Sequence, residues 1–304
     1  PVALYCPAIN INKSLYIYMK PSTDRLLSQL KALADPVRMR LVALCGVAEC
    51  SVSELTQVTG LSQPRVSQHL KQLIAEGLLE RFRDGHFVFY RVPSNGGDAA
   101  ARRRLLALVP EDEPEFDRDV QKLRKLRADD EPAALAVAGD ERLLHKALVE
   151  LTVAAPLGDL LDVVCGLGRI LKLLASRAQR AVGVDIDSDA RQSARAELLL
   201  AGLPNCSLRH GDMYSLPFAN AEFDTIILDA VLSEAERPTD VITEARRLLR
   251  TGGRVLLLST IGERNADEIK SNFSNWAAQT GLRLAPPRSI PDKDPGWLLG
   301  VATA

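Results

Sequence analysis

The stretch that decides the fold of the larger part of the chain is LLDVVCGLGRI, residues 160–170. It begins as a short apolar run, then Gly166 and Gly168 flank Leu167, and the pattern becomes helical. Such a pattern is typical of a buried strand that turns into a helix, and glycines at the turn let the backbone approach a ligand closely. The stretch therefore predicts a strand, a ligand-binding loop and a helix, although the same turn also serves plain helix–strand packing.

Strand-like and helical segments alternate after this stretch. The strand-like segments are RAVGVDI, CSLRHGD, FDTIILDAV and GGRVLLLST, and a helix is expected over residues 189–200. This alternation predicts an α/β, doubly wound, mostly parallel sheet over residues 151–304, with ligands at the carboxyl ends of its strands.

Four further residues fit an adenosyl group at that edge. Asp185 ends the second strand 23 residues after Asp162, where a carboxylate accepts hydrogen bonds from both ribose hydroxyls. Ile186 is suited to packing on an adenine face, Asp212 to accepting from the adenine amino group, and Met213 to adding apolar surface. An NAD-binding fold would share the loop and Asp185, but it would more naturally carry a third glycine where this chain has Leu171.

Residues 19–93 predict a second, smaller domain of another class. Ser51 and Glu54 form a capping box for a short helix that Gly60 ends, and Ser62 is expected to cap the next helix. Two short helices joined by a tight turn indicate a helix-turn-helix, and the Asp84-Gly85 hairpin after it predicts a β-wing. The prediction is a winged helix-turn-helix (α+β) domain.

The exposed face of the second helix of that motif suits double-stranded DNA. Ten lysines and arginines stand against seven acidic residues from Lys20 to Arg91, a local excess suited to phosphates. The candidates for base and phosphate contacts are Gln63, Arg65, Gln68, His69, Lys71, Gln72, Arg81, Arg83 and Arg91.

Residues 94–150 are expected to be a helical connector. PSNGGD is a flexible break, and AAARRRLLALV and FDRDVQKLRKLRADD are helical. DNA half-sites with two-fold symmetry need a dimer, so the stripe Phe116, Val120, Leu123 and Leu126 is either the contact with a second copy or a face packed on its own chain. The run 102–104 is expected to be a solvated helix face rather than a DNA contact.

The first domain resembles the ArsR-type winged-helix repressors over its whole length, through LADPVRMRLVALC and SVSELTQVTGLSQPRVSQHLKQLIAEGLLERFRDGHFVFYRV. Family members that sense soft metals carry Cys-Val-Cys where this chain has Ser51-Val52-Ser53, and hydroxyls bind soft metals poorly. Cys45 and Cys50 are expected to be core residues, so no metal site is predicted.

The second domain resembles the class I S-adenosylmethionine-dependent methyltransferases over nearly its whole length, including LPFANAEFDTIILDAVL and LLRTGGRVLLLST. The resemblance implies a seven-stranded sheet whose last strand lies around residues 297–301, and S-adenosylmethionine or S-adenosylhomocysteine as ligand. It implies the following contacts: Asp162, Gly166 and Gly168 with the methionine moiety, Asp185 with the ribose, and Asp212 and Met213 with the adenine. The whole chain resembles known fusions of these two domains.

Three positions depart from the methyltransferase pattern. Val164 stands where the family usually has glycine, and valine does not adopt a positive φ cheaply. Leu167 replaces the more common hydroxyl residue. At the end of the fourth strand, Asp229 is the only candidate for acid–base catalysis. An aspartate at the end of a strand more commonly has a structural role, in which it caps the next turn.

Composition limits the remaining possibilities. The five cysteines are scattered and never spaced C-x-x-C, which argues against a disulfide framework or a zinc cluster and favours a reducing cytoplasm. No apolar run approaches the length of a membrane span. Residues 1–18 are expected to be a disordered extension without a function.

Two functions remain open. The first is a homodimeric DNA-binding repressor whose second domain senses S-adenosylmethionine or its demethylated product and changes operator binding. The second is an active methyltransferase of a small-molecule acceptor, with the winged helix in a regulatory role.

Overall fold

The protein is described by a computed structural model over residues 23–84, 87–93, 99–110, 113–129, 139–261, 265–291 and 296–304. The expected extension over 1–18, the wing residue Gly85 and most of the PSNGGD break lie outside the described residues. Among the helices that are described, none has the length and apolar character to cross a membrane.

The N-terminal domain is a helix-turn-helix with a β-wing. Its elements are α1 (Thr23–Leu33), α2 (Pro36–Val47), β1 (Cys50–Ser51), α3 (Val52–Thr59), α4 (Gln63–Ala75), β2 (Glu80–Asp84) and β3 (Phe87–Arg91). Strands β2 and β3 pair antiparallel as the predicted hairpin, and β1 adds to the other edge of β3. Cys45 and Cys50 are buried in the core, as predicted.

The two helix caps of this domain differ. Ser51 and Glu54 form the predicted capping box, and Gly60 ends α3 in the left-handed region at φ 71°. Ser62 occupies the N-cap position of α4 as predicted, but its side chain makes no capping hydrogen bond. Pro64 stands in the first turn of α4 and has no N–H, which removes one of the donors that a capping hydroxyl uses.

Three helices connect the two domains, namely α5 (Ala99–Leu106), α6 (Pro114–Asp129) and α7 (Gly139–Ala154). The apolar stripe of α6 packs on α2 and α3 of its own chain: Leu123 is fully buried in the winged-helix core and Val120 packs against that core. The structure therefore agrees with the second of the two alternatives for this stripe, a face packed on its own chain.

Arg102 corrects the expectation of a solvated run at 102–104. Its side chain is 6% exposed, and its guanidinium donates to the carbonyls of Pro93, at 2.7 and 3.1 Å, and of Gly77, at 3.4 Å. Arg103 and Arg104 are exposed as expected. Arg102 therefore ties α5 to the end of the wing.

The C-terminal domain is the predicted α/β fold with helices on both faces of a mostly parallel sheet. Its elements are β4 (Asp159–Val163), α8 (Arg169–Leu174), β5 (Arg180–Asp185), α9 (Ser188–Leu200), β6 (Cys206–His210), β7 (Phe223–Asp229), α10 (Val231–Glu234), α11 (Pro238–Leu248), β8 (Leu249–Thr260), α12 (Ala266–Thr280), β9 (Arg283–Leu284), β10 (Arg288–Ile290) and β11 (Trp297–Thr303). The strand order is β10-β11-β8-β7-β4-β5-β6, and only the pairs that include β11 are antiparallel.

The sheet has eight described strands in seven positions. Strands β9 and β10 both pair with the same side of β11, so they are two pieces of one edge strand. Pro286 and Pro287 lie between the pieces, and proline has no N–H for a strand ladder. The sheet therefore has the seven strand positions that were expected, and the outer position next to β11 is filled by two short strands, β9 and β10.

We expect Leu123→Ala to lower the free energy of unfolding by about 2–5 kcal/mol, because it opens a cavity in the winged-helix core. Leu108→Ala is the control, since that side chain is 73% exposed and its truncation should change stability by less than about 0.5 kcal/mol. Urea unfolding and sedimentation measure both effects. A Leu123→Ala protein of unchanged stability but altered oligomeric state would contradict the internal packing of α6.

Candidate functional site

The outer face of α4 carries the predicted DNA-contacting side chains. Val66, Leu70 and Leu73 are buried on one side. The opposite face exposes Gln63, Arg65, Gln68, Lys71 and Gln72. Arg38 of α2, which the sequence did not mark as part of this face, donates through Nη1 to Gln72 Oε1 at 2.7 Å.

Two of the α4 side chains also interact with the start of α2. His69 is half-buried, with Nδ1 3.8 Å from Asp35 Oδ1, and Gln72 accepts the hydrogen bond from Arg38. Asp35 caps α2 by accepting from the Arg38 N–H at 2.9 Å. The position of α4 is thereby fixed relative to α2.

The three predicted wing cations lie in different environments. Arg81 and Arg83 are exposed on β2. Arg91 on β3 ion-pairs with Glu80 at 2.5 Å and with Glu49 at 3.3 Å. Its guanidinium is therefore engaged at the boundary between the two domains.

The glycine loop after β4 meets the end of β5 at the carboxyl edge of the sheet, and the region beside this contact is called the cleft below. Asp185 Oδ2 accepts from the Gly166 N–H at 2.8 Å, and Oδ1 accepts from the Asp187 N–H at 2.9 Å. The space above Gly166 is open, because no described heavy atom beyond its chain neighbours lies within 4 Å of the position that a Cβ would take. At Gly168 a Cβ would lie 3.3 Å from Ala194 Cβ, so this glycine serves the packing of α8 on α9.

Asp162 lies fully buried beneath this cleft. Its Oδ1 has no hydrogen-bond partner among the described residues. Burial raises the pKa of Asp162 well above its ordinary value, and the nearby carboxylates of Asp229 and Asp185 add to this while Arg169 opposes it. Asp162 is thus a buried carboxyl group suited to binding a cationic ligand atom.

Apolar side chains lie exposed around the cleft. Val164, Leu167 and Ile186 are 41%, 47% and 65% exposed. Val164 has φ 57°, the positive value that the sequence analysis considered costly for valine. The backbone of the loop therefore keeps the conformation suited to glycine although a β-branched residue stands there.

The third strand end also lies at the cleft. The Gly211 N–H donates to the Asp185 carbonyl oxygen at 3.2 Å, which brings the turn after β6 beside the end of β5. Asp212 is exposed, and its Oδ1 accepts from the Tyr214 N–H at 3.0 Å. Met213 packs partly on the core.

Asp229, the acid–base candidate, is ion-paired with Arg169 at the start of α8. The guanidinium carbon of Arg169 also lies 5.2 Å from the centroid of the Trp297 ring. This pairing joins the end of β7 to the glycine loop.

A buried ion cluster joins the two domains, and the sequence analysis missed it. Asp84, at the end of β2, is 3% exposed and binds Arg191 and Arg195 of α9, each at 2.5 Å. Glu49 is 5% exposed and binds Arg195 at 3.1 Å and Arg209 at 2.9 Å. The spacing of four between Arg191 and Arg195 indicates one basic helix face, but nothing in the sequence indicates what it binds.

Arg191 connects this cluster to the cleft. Its side chain is 1% exposed, and its Nη1 donates to the carbonyl oxygen of Asp185 at 2.9 Å while Nε donates to Asp84 at 2.9 Å. One guanidinium thus binds both the wing and the backbone of the residue whose carboxylate faces the cleft.

Comparison with known proteins divides the chain at the same place. A family described as "Methyltransferase domain" matches residues 161–257, and one described as "Bacterial regulatory protein, arsR family" matches residues 35–81. The HTH-type transcriptional regulator YgaV of Escherichia coli is 33% identical over 82 residues, which are 27% of this chain and 83% of that protein.

The second domain has its own relatives. A probable S-adenosylmethionine-dependent methyltransferase of Mycolicibacterium smegmatis is 32% identical over 102 residues, which are 34% of this chain and 37% of that protein. A solved SAM-dependent methyltransferase from Aquifex aeolicus is 17% identical, with a TM-score of 0.46 over 59% of this chain and 95% of that one. The chain spans 31% to 39% of the length of three curated relatives that it matches.

We expect Val164→Gly to leave the free energy of unfolding unchanged or to raise it by up to about 1 kcal/mol. The positive φ costs valine about 1–2 kcal/mol, and glycine loses about 0.5–1 kcal/mol through chain entropy. Val163→Gly is the matched control, because Val163 is 1% exposed in β4 and its loss should cost more than about 2 kcal/mol. Equal destabilisation by both substitutions in urea unfolding would show that the loop is not strained.

Proposed function

Because the chain belongs to the arsR family of bacterial regulatory proteins and continues into a methyltransferase domain, we propose that it regulates transcription in response to S-adenosylmethionine or S-adenosylhomocysteine. In this proposal the winged helix binds an operator as a homodimer and represses transcription. The methyltransferase-type domain is the sensor.

The cleft residues fit an adenosyl ligand. Asp185 would accept from the ribose hydroxyls, and Asp212, with Ile186 and Met213, would contact the adenine. The open space above Gly166 and the unpartnered Oδ1 of Asp162 suit the methionine moiety. When bound, S-adenosylmethionine supplies a sulfonium charge and a transferable methyl group, and its demethylated product lacks both.

The exposed face of α4 supports DNA binding. Arg65 and Lys71 on α4, with Arg81 and Arg83 on β2, are exposed and have no ion pair among the described residues. Exposed cations near an amide-bearing helix face suit phosphates on either side of a major groove.

The observation that carries the proposal is the double attachment of Arg191. A ligand changes a distant equilibrium only if it binds two states of the protein with different affinity. A ligand held by the Asp185 carboxylate would act on Asp185, whose carbonyl oxygen also accepts a hydrogen bond from Arg191. Arg191 in turn binds the wing through its ion pair with Asp84. The affinity of the cleft and the position of the wing are thereby coupled.

The sensor function is favoured over methyl transfer by the state of Asp229. Its carboxylate is engaged by the Arg169 guanidinium at the start of α8. Methyl transfer also needs a positioned nucleophile, and Asp229, the candidate for acid–base catalysis, is held in this ion pair. A methyl-release assay with small-molecule acceptors separates the two functions, since turnover without any effect on DNA binding would favour the enzyme.

We expect S-adenosylmethionine or S-adenosylhomocysteine to change the dissociation constant for operator DNA by about 5–150-fold, the usual range of coupling. Arg191→Lys should bring this ratio close to one while ligand affinity changes little, because an ammonium group does not reproduce the planar fork that binds two acceptors. Fluorescence anisotropy of labelled DNA measures the ratio.

Arg237→Lys is the control, because Arg237 is 62% exposed and lies far from the cluster in the chain. An unchanged ratio in Arg191→Lys would refute coupling through this residue. Wild-type protein that binds both compounds without any change in DNA affinity would refute the sensor function itself.

We expect ligand binding to release a proton from Asp162. Its pKa is raised in the free protein, and the ammonium group of the ligand would favour the carboxylate, so affinity should increase as pH rises from the ordinary aspartate pKa of about 3.9 towards neutrality. Calorimetry in buffers of different ionisation enthalpy detects the proton. The release should vanish in Asp162→Asn and persist in Asp212→Asn, and the reverse pattern would contradict this role.

A further inference from the structure

A cavity of about 340 Å³ lies between the two domains, apart from the cleft at the strand ends. Its walls come from α3, the wing strand β3, the end of α6 and the outer side of α9. We propose that this interdomain cavity is a second ligand site, and that it binds a small aromatic molecule that is uncharged or cationic.

The aromatic preference comes from the wing. Phe87 and Phe89 line the cavity, and their ring centroids lie 6.3 Å apart in a tilted arrangement. Phe87 is 52% exposed, which is unusual for so large an apolar side chain, while Phe89 is buried and lies beneath the Arg195 guanidinium at 4.1 Å. A further ring would pack against this edge, because aromatic pairs favour offset and tilted contacts at such spacings.

The rim of the cavity supplies hydrogen-bonding groups that the protein leaves nearly unused. Gln192 and Ser193 project from α9, and their side chains make no hydrogen bond within the described residues. Opposite them, Gln57 and Ser53 share one long contact of 3.5 Å. Amide and hydroxyl groups on both sides suit a ring that carries an amide, amidine or similar substituent.

The charges of the lining disfavour an anion. Arg127 donates to Glu54 at 2.7 Å, to the Glu49 carbonyl oxygen at 2.6 Å and to the Arg195 carbonyl oxygen at 3.1 Å. Arg195 is engaged with Asp84 and Glu49. Both lining arginines are thus neutralised by the protein.

The remaining charge in the lining is negative. The Asp189 carboxylate is exposed and accepts only from the neighbouring Ser188 hydroxyl among the described residues. It would attract a cation and repel an anion at the mouth of the cavity.

The volume sets the size of the ligand. A cavity of about 150 Å³ holds benzene, so about 340 Å³ accepts a substituted single ring or a fused pair of rings. Because the walls belong to both domains, such a ligand stabilises the docked arrangement of the wing by an amount that grows with the logarithm of its concentration relative to its dissociation constant. An effect on DNA binding rests on the proposed function, whereas binding in the cavity does not.

Benzamide, benzamidine and benzoate test the proposal, because they share a ring and a similar size but are neutral, cationic and anionic. Calorimetry and ligand-observed NMR on the full chain, without DNA or adenosyl compounds, measure their binding. We expect benzamide and benzamidine to bind, and benzoate to bind at least about tenfold more weakly, which corresponds to 1.4 kcal/mol. Absence of binding by all three, or benzoate binding as tightly as the others, would overturn the proposal.

Ser193→Phe should weaken benzamidine binding at least about tenfold by filling the cavity, a loss of 1.4 kcal/mol. Leu200→Phe is the control, because Leu200 lies on the same helix, is 42% exposed and does not line the cavity. Phe87→Ala is a second test that removes only an exposed ring and should also weaken binding. Unchanged affinity in both cavity variants would overturn the location of the site.

The test of the interdomain cavity and the test of the sensor function can fail independently of each other. Benzamidine binding without any effect of adenosyl ligands on DNA would leave this site standing and remove the sensor function. Adenosyl-dependent DNA binding without binding of benzamide or benzamidine would remove the cavity site and leave the sensor function standing.

Discussion

The arrangement of the two domains depends on charges that are buried where they meet. Asp84, Arg191 and Arg195 are each less than a tenth exposed. Burial alone would raise the pKa of Asp84, but the two guanidinium groups hold it below its ordinary value. A buried charge that loses its partner is left with a large desolvation cost. Loss of any one member of the cluster would therefore leave a buried charge without its partner, so the docked arrangement needs the whole cluster.

The sequence predicted those features that depend on near neighbours. The capping box of Ser51 and Glu54, the hairpin around Asp84, and the strand–loop–helix at residues 160–170 all involve residues a few positions apart, and all are present. Their chemistry is local, so a single sequence contains the information.

Features that depend on distant residues were not predicted. Arg191 and Asp84 are 107 positions apart, and nothing in the residues around either one indicates that the two form an ion pair. The apolar side of α6 shows a helical stripe, but the stripe alone does not say which surface covers it. Arg102 was assigned to solvent because arginine is rarely buried, and only the fold reveals the carbonyl groups of Pro93 and Gly77 that accept its hydrogen bonds.

The position of β6 at one end of the sheet has a consequence for the independence of the second domain. A terminal strand offers unpaired backbone groups on which another chain can assemble. The Leu208 N–H donates to Glu49 of the first domain at 3.3 Å, and the Leu208 carbonyl oxygen accepts from Arg209 of β6 itself at 2.7 Å, so the first domain contacts this strand at Leu208. At the opposite end, prolines interrupt the outer strand. The N-terminal domain thus occupies part of an edge that would otherwise be open, and we expect a methyltransferase domain cut free of it to expose more of that strand to intermolecular pairing.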